Sequence, residues 1–96
     1  MNSDTYQIRY FTSYSGITLP LNLVSEIAQE DMRNRNTYYE GSFDKQNRLC
    51  ICRKMVYGEI ELEHRYSFHS NGQLKQAIII SEEDDETILQ FNEHKS

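Results

Sequence analysis

Two seven-residue segments of this chain follow the same pattern, and that repeat constrains the fold more than any other feature. The first covers residues 43–49 and the second, 25 residues later, covers 68–74. Each has an aromatic residue, three residues typical of turns, then Asn or Gly, one polar residue and Leu. This order is typical of a β-hairpin with a type I turn followed by a residue of positive φ. Asn47 and Gly72 tolerate that position best. We therefore predict two hairpins, each with its aromatic residue facing its leucine.

Strict alternation of apolar and polar residues predicts strands around these turns. Residues 59–68 alternate with period 2, as half-buried strands do, and residues 49–57 alternate in the same way. A tight turn at Tyr57 and Gly58 would join the two strands. The predicted cross-strand pairs are Met55–Ile60, Lys54–Glu61, Arg53–Leu62, Ile51–His64, Cys50–Arg65 and Leu49–Tyr66.

The remaining segments complete the predicted fold. Residues 37–43 and 73–81 extend the hairpins to a four-stranded meander, and residues 6–12 and 17–23 form another hairpin. Ser25 is a candidate N-cap for a helix ending near residue 34. We predict one mainly β domain of the α+β class over residues 1–81, a twisted antiparallel meander of 5–7 strands with one short helix, near 25–34, packed on one face. Because such a sheet is over about 20 Å wide and a helix covers about 10 Å, part of its apolar face would remain open for self-association or a protein partner.

The charge of the chain is concentrated at one end. The 96 residues carry a net charge of −5, and residues 82–96, with six acidic side chains and one lysine, account for all of it. We predict an acidic C-terminal tail there, with a possible short strand at 87–91. Its charge repels phosphate, so we expect no nucleic-acid partner. No apolar run approaches the length of a membrane span and no secretory signal is visible, which favours a cytoplasmic protein with no membrane contact.

The residues that most often carry chemistry do not form a convincing catalytic pattern. Cys50 and Cys52 would share one strand face, but the predicted register places His64 on the other face, and no second closely spaced pair completes a zinc site. No strained turn or helix N-terminus activates either thiol. The alternating Glu59, Glu61 and Glu63 are typical of a solvated strand face. We therefore expect no metal, no cofactor and no catalytic residues.

Polar side chains that interrupt the predicted inner face are the candidate binding site. Arg53, His64 and Gln76 lie there in the predicted register, beside Tyr39 and Tyr66. An arginine between apolar neighbours needs a partner, because an unpaired buried charge is costly. These five residues form either a small pocket or interface hot spot, in which Arg and Tyr are enriched, or the place where the inner face reaches solvent.

Several motifs resemble known families. The two repeat copies resemble the hairpin repeats of the Rhs/YD type and of the YwqK-like antitoxin group. Four further stretches together look like a small bacterial family of uncharacterised single-domain proteins. These are Leu19-Pro20, Asn34-Arg35-Asn36-Thr37-Tyr38, Val56-Tyr57-Gly58-Glu59 and Asn71-Gly72-Gln73-Leu74. The resemblance implies a bacterial cytosolic protein with no established activity, and it implies no functional residues.

Three functions are therefore compatible with the sequence. The first is a non-enzymatic protein-binding or self-associating module that acts through its sheet face. The second is an acidic inhibitor of the immunity or antitoxin type, which docks its acidic segment on a basic partner. The third is a small-molecule sensor or enzyme that uses the region around Arg53, His64 and Tyr66.

Overall fold

The computed structural model describes residues 6–83 and 85–92, which form one antiparallel sheet and one short helix. The elements are β1 (Gln7–Ser15), β2 (Asn22–Ile27), α1 (Gln29–Met32), β3 (Thr37–Phe43), β4 (Leu49–Val56), β5 (Glu59–Phe68), β6 (Leu74–Ser81) and β7 (Glu86–Gln90). The strand order is β2-β1-β3-β4-β5-β6-β7, so β3 to β7 form a meander and β2 and β7 are the edges. This architecture confirms the predicted fold class. β7 lies where the sequence predicts a short strand at 87–91.

The repeat forms two equivalent hairpin turns. Phe43 is the cross-strand partner of Leu49, and Phe68 is the partner of Leu74. Both turns close with the same pair of backbone hydrogen bonds, from residues 44 and 47 in one copy and from residues 69 and 72 in the other. The repeat prediction is therefore confirmed for both copies. The sequence also contains the start of a weaker third copy at Phe91-Asn92-Glu93, which extends beyond the described residues.

The left-handed positions of these turns also agree with the sequence. Asn47 has φ 63° and Gly72 has φ 93°. Tyr57 and Gly58 both have positive φ, as a two-residue type I′ hairpin requires. Local turn chemistry therefore fixes where the strands of the meander reverse direction.

Three bulges change the register that alternation alone predicts, and the third is at Lys75 in β6, because Ser67 pairs with Gln76 and Phe68 pairs with Leu74. Phe43 pairs with Leu49 while its neighbour Ser42 pairs with Ile51, so Cys50 is an extra residue in β4. Lys54 pairs with Leu62 and Met55 pairs with Ile60, so Glu61 is an extra residue in β5. Each extra residue moves the side chains beyond it to the other face of the sheet.

The predicted pairings are accordingly right on one side of the second bulge and wrong on the other. Met55–Ile60 is confirmed. Arg53 pairs with Glu63 instead of Leu62, and Arg65 pairs with Ile51 instead of Cys50. The other wrong pairings are Ile51–His64 and Leu49–Tyr66. Lys54 and Glu61 still form an ion pair at 3.0 Å, although Glu61 is the bulged residue.

One face of the sheet, here called the core face, contains all the buried hydrophobic side chains of the described residues. These are Phe11, Leu49, Cys52, Tyr66 and Ala77. Leu19, Leu21 and Leu23, from the end of the β1–β2 connection and the start of β2, pack against this cluster. The opposite face, here called the open face, carries among others Ile51, Arg53, Glu63 and Ile78. Its buried residues, Ser42 and Glu63, are both polar.

The predicted helix forms only over part of its predicted range, and residues 25–27 at its start belong to a strand. Residues 22–27 pair with β1, and only Gln29–Met32 are helical, with none of the four buried. Ser25 is not the N-cap, because it lies inside β2 with φ 63°. The helix predicted near 25–34 is therefore shorter and begins later. Pairing with β1 satisfies the backbone of residues 22–27, and this tertiary interaction overrides a weak helical pattern. The second strand also begins at Asn22, beyond Pro20, rather than at residue 17.

Gly41 makes room for the leucine cover over the core face. A Cβ atom at this position would lie 2.9 Å from Leu23 Cδ1 and 2.9 Å from Phe43 Cε1, closer than carbon atoms approach without moving. It would also lie 3.2 Å from Leu49 Cδ1. The absence of a side chain in the middle of β3 therefore allows Leu23 to lie directly over the sheet.

Candidate functional site

The structure divides the five residues predicted as one binding site between the two faces of the sheet. Tyr39, His64 and Tyr66 belong to the core face, because the cross-strand partner of each lies on that face. Lys54 is the partner of Tyr39. Arg53 and Gln76 belong to the open face. The five side chains therefore do not come together, because the bulge at Glu61 moves Arg53 to the side opposite His64. The binding role of either part stays a prediction.

His64 and Tyr66 form a buried polar pair under the leucine cover. His64 Nδ1 lies 2.6 Å from the Tyr66 hydroxyl, which also accepts a hydrogen bond from the Leu21 N–H at 3.3 Å. The Tyr66 hydroxyl keeps its own proton to donate to Nδ1 when the imidazole is the neutral Nε2–H tautomer. Burial lowers the pKa of His64 and raises the pKa of Tyr66. This pair fixes the position of the β1–β2 connection over the sheet, and both groups are uncharged at neutral pH.

We expect the stability of the protein, followed from pH 7.5 down to pH 5.5, to fall once the pH is below about 6.5, because of His64. Its folded pKa lies below the ordinary value of 6.5, so the unfolded state binds the proton more readily. The stabilisation is complete above about pH 6.5 and is lost as the pH falls through the folded pKa. The measurement is the melting temperature across this range. His64→Asn should flatten the slope.

The two cysteines lie in different surroundings, and neither thiol is activated. Cys52 is buried as the cross-strand partner of His64, and burial raises the pKa of its thiol to about 12. Cys50 lies at the first repeat turn, where its Sγ is 3.7 Å from Asp44 Oδ2. Burial and the Asp44 carboxylate raise the pKa of this thiol as well. Both are protonated at neutral pH and therefore poor nucleophiles. Among the described residues, no group of three or more His, Cys, Asp and Glu side chains could hold a metal ion.

Thiol labelling should separate the two cysteines. We expect Ellman's reagent at pH 8 to react slowly with Cys50 in the native protein and with Cys52 only on unfolding, because the Cys52 thiol is covered. Cys50→Ser should then show no reaction before denaturant is added and one equivalent afterwards. Cys52→Ser is the matched control, with one equivalent in the native state. Rapid native labelling of the Cys50→Ser protein would contradict the described burial of Cys52.

Four alternating charges form a continuous ion chain across the middle of the open face. The Arg53 Nε donates to Glu63 at 3.0 Å, and its Nη1 donates to Glu40 at 3.3 Å. Arg65 Nε donates to the second oxygen of Glu63. Burial raises the pKa of Glu63, but the hydrogen bonds from Arg65 and Arg53 outweigh it, so its pKa lies below the usual value. The Glu63 side chain is only 8% exposed, and the ion chain has no net charge.

Two cross-strand rows contain this ion chain and surround it with isoleucines. One row runs Tyr10–Glu40–Arg53–Glu63–Ile80–Glu86 and the other runs Ile8–Ser42–Ile51–Arg65–Ile78–Ile88. Side chains of cross-strand partners point to the same side of a sheet. The open face therefore presents a band of isoleucines around charges that already neutralise one another. Its outer members Ile8 and Ile88 are 45% and 52% exposed.

The alternation in the sequence missed Glu63, Glu40 and Ile78 as members of one surface. The alternation predicts Glu63 in a solvated row with Glu59 and Glu61. The sequence does contain a signal that Glu63 is buried. One arginine lies two residues away in β5 and another lies across the hairpin in β4, and a buried carboxylate requires such partners. Without the bulges, however, that signal assigns Arg53 and Glu63 to opposite faces.

A groove of about 520 Å³ beside the two repeat turns is a second candidate site. Arg48, Phe68 and His69 are among its lining residues. The Arg48 guanidinium lies 4.8 Å from the centre of the Phe68 ring and pairs with Asp44 at 2.9 Å. His69 Nε2 bonds the Phe91 carbonyl at 2.8 Å. These side chains are engaged within the protein, so the groove is held by its own contacts.

Over residues 6–83 and 85–92, the fold and the surface define a class of protein: a single antiparallel sheet with leucines over one face and a neutral ion chain among isoleucines on the other. The chain belongs to a family of proteins of unknown function, DUF6156, whose model matches residues 3–96. No curated protein and no solved structure matches it. Within the described residues, no helix has the length and apolar character needed to cross a membrane.

Proposed function

We propose that this protein is a protein-binding module and that the open face is its binding surface. One observation carries the proposal. All the buried hydrophobic side chains of the described residues belong to the core face, whereas the open face carries the exposed Ile8 and Ile88 and, between them, the half-buried Ile51, Ile78 and Ile80. Apolar surface left accessible in this way supports an interaction site.

The charges of the open face support the same function. A protein interface has an apolar centre, and charged groups within it must be paired to avoid a large desolvation cost. Arg53 and Glu63 are already paired with each other and with their neighbours. A partner can therefore cover them without leaving an isolated charge.

A substitution in the middle of the open face tests this function. Ile78→Glu places a charge in the second cross-strand row, and we expect it to weaken partner binding at least tenfold while the protein stays folded. Ile17→Glu is the matched control, because Ile17 is a 99% exposed isoleucine in the β1–β2 connection. Immobilised wild-type and variant proteins would be compared for the proteins that they retain from a host lysate. Retention of the same proteins by Ile78→Glu and wild type would reject the open face as the binding surface.

A second candidate function rests on the acidic segment. Glu83 and Asp85 donate their backbone N–H groups to Ser81 Oγ at 3.3 Å each, and the Ser81 N–H donates to the Asp85 carbonyl at 3.0 Å. The described acidic residues therefore lie on a turn between the paired strands β6 and β7. A fixed acidic turn supports an inhibitor of the immunity or antitoxin type that binds a basic partner. Replacing Glu82, Glu83 and Asp85 with the corresponding amides would abolish such binding and leave binding through the open face intact.

The setting of the protein is also a proposal. The motif resemblance to a small bacterial family supports a bacterial cytosolic protein. The similarity of the repeat to Rhs/YD-type and YwqK-like hairpins is carried by the two turns alone.

A further inference from the structure

We propose that the partner of the open face is a second copy of this chain, related to the first by a two-fold axis. This inference rests on the proposed function, and it adds the identity of the partner and the orientation in which it binds.

The order of charges in the ion chain carries the inference. From one end to the other it reads Glu40, Arg53, Glu63, Arg65, that is, acid, base, acid, base. A second copy laid face to face, with the two-fold axis between Arg53 and Glu63, presents the reverse order. Every acid of one copy then faces a base of the other. Self-complementarity of this kind is the requirement of a two-fold interface, in which both partners use the same patch.

The two ends of the ion chain remain available for such contacts. The Glu40 side chain is 23% exposed and the Arg65 side chain is 55% exposed, whereas Glu63 between them is 8% exposed. Arg65 bonds one carboxylate through Nε, and its guanidinium carries further N–H donors. In the two-fold arrangement those donors meet Glu40 of the other copy. Each dimer would therefore contain two equivalent Glu40–Arg65 ion pairs between copies.

The size of the open face matches that of a stable dimer interface. Seven strands spaced about 4.8 Å apart span roughly 29 Å, and strands of about eight residues are roughly 27 Å long. The face therefore has an area of roughly 800 Å², which is what each partner buries in a standard protein–protein interface. The isoleucines of the two cross-strand rows would form the apolar part of this interface around the paired charges at its centre.

Charge reversal at the two ends tests the arrangement. We expect light scattering after size-exclusion chromatography, at about 100 µM, well above a micromolar Kd, to give wild-type protein twice the mass of the 11.4 kDa chain. Glu40→Arg and Arg65→Glu alone each bring like charges together across the interface and should elute as monomers. An equimolar mixture of the two variants should restore the dimer. In the mixed pair, the arginine introduced in one variant faces the glutamate introduced in the other, and the unchanged Arg65 faces the unchanged Glu40. Arg9→Glu, on the core face, is the control and should leave the dimer unchanged.

Each result either supports or overturns the proposal that the partner is a second copy of the chain. A wild-type monomer at this concentration overturns it, and so does a dimer that both reversals leave unchanged or a mixture that stays monomeric. If Glu40→Arg does not fold, as seen by circular dichroism, Ile88→Glu replaces it, since this exposed position tolerates a charge in the monomer and not in the dimer. A monomeric wild type that retains a lysate protein lost by Ile78→Glu would overturn the second copy and keep the proposed function.

Discussion

Leu49→Ala is expected to lower the free energy of unfolding by about 2–4 kcal/mol, whereas Leu74→Ala should cost about half as much. The two leucines occupy the same position in the repeat and face equivalent aromatic residues. Leu49, however, is buried in the core cluster beside Cys52 and Tyr66, and Leu74 is only partly buried at its margin. The cost of removing a buried side chain includes the cavity that it leaves, which is larger where the surroundings cannot collapse.

Urea denaturation followed by circular dichroism measures both values. For a small domain with a total stability of about 5–10 kcal/mol, the Leu49→Ala loss is a large part of the whole. Because the chemistry of the two substitutions is identical, their difference reports burial alone. Equal losses at the two positions would mean that the two turns contribute equally to one core, contrary to the described packing.

Arg53→Met should lower the free energy of unfolding by about 2–3 kcal/mol, since it removes charge-assisted hydrogen bonds from a buried carboxylate. Glu63 would keep only the bond from Arg65, and Glu40 would lose the bond from Arg53. Methionine occupies a similar volume to the aliphatic part of arginine, so the loss is mainly electrostatic.

Measurements in acid, and a substitution at a second arginine, test whether the loss of stability is electrostatic. Glu63 has a folded pKa below its ordinary value of 4.5, so its contribution is present above that pH and is lost as the pH falls through the folded pKa. The difference between wild type and Arg53→Met, measured by denaturation at pH 7 and pH 3.5, should therefore shrink in acid. Arg65→Met removes a more exposed partner of the same carboxylate and should cost less than Arg53→Met. A loss for Arg53→Met that is unchanged in acid would assign its effect to packing.

Local signals in the sequence were sufficient for the outline of the fold. The turns at residues 44–48 and 69–73 follow from Asn47 and Gly72, whose side chains permit positive φ, and the Tyr57–Gly58 turn follows for the same reason. These signals act over a few residues. They correctly predicted the aromatic–leucine pairs and most of the strands of the meander.

The faces of the strands depend on information that is not local. An extra residue in a strand is energetically acceptable when both faces can accept the shifted side chains, and alternation contains no mark of it. The bulge at Glu61 explains why the predicted register assigns Arg53 to the wrong face. The core cover was missed for a related reason. Leu19, Leu21 and Leu23 alternate with period 2 as a strand does, but that alternation does not show that they lie over the sheet. Their role appears only when Gly41 is seen beneath Leu23.

The position of the leucine cover has a consequence for the order of folding. Each hairpin of the meander closes over a short stretch of chain, but the contact between Leu21 and Tyr66 spans 45 residues. Contacts between distant parts of a chain cost more loop-closure entropy and tend to form after local ones. Because the Leu21 side chain packs against the same core cluster, we expect Leu21→Ala to accelerate unfolding while leaving the refolding rate nearly unchanged in stopped-flow experiments. In that order of events the meander forms first, and the N-terminal segment packs over it last.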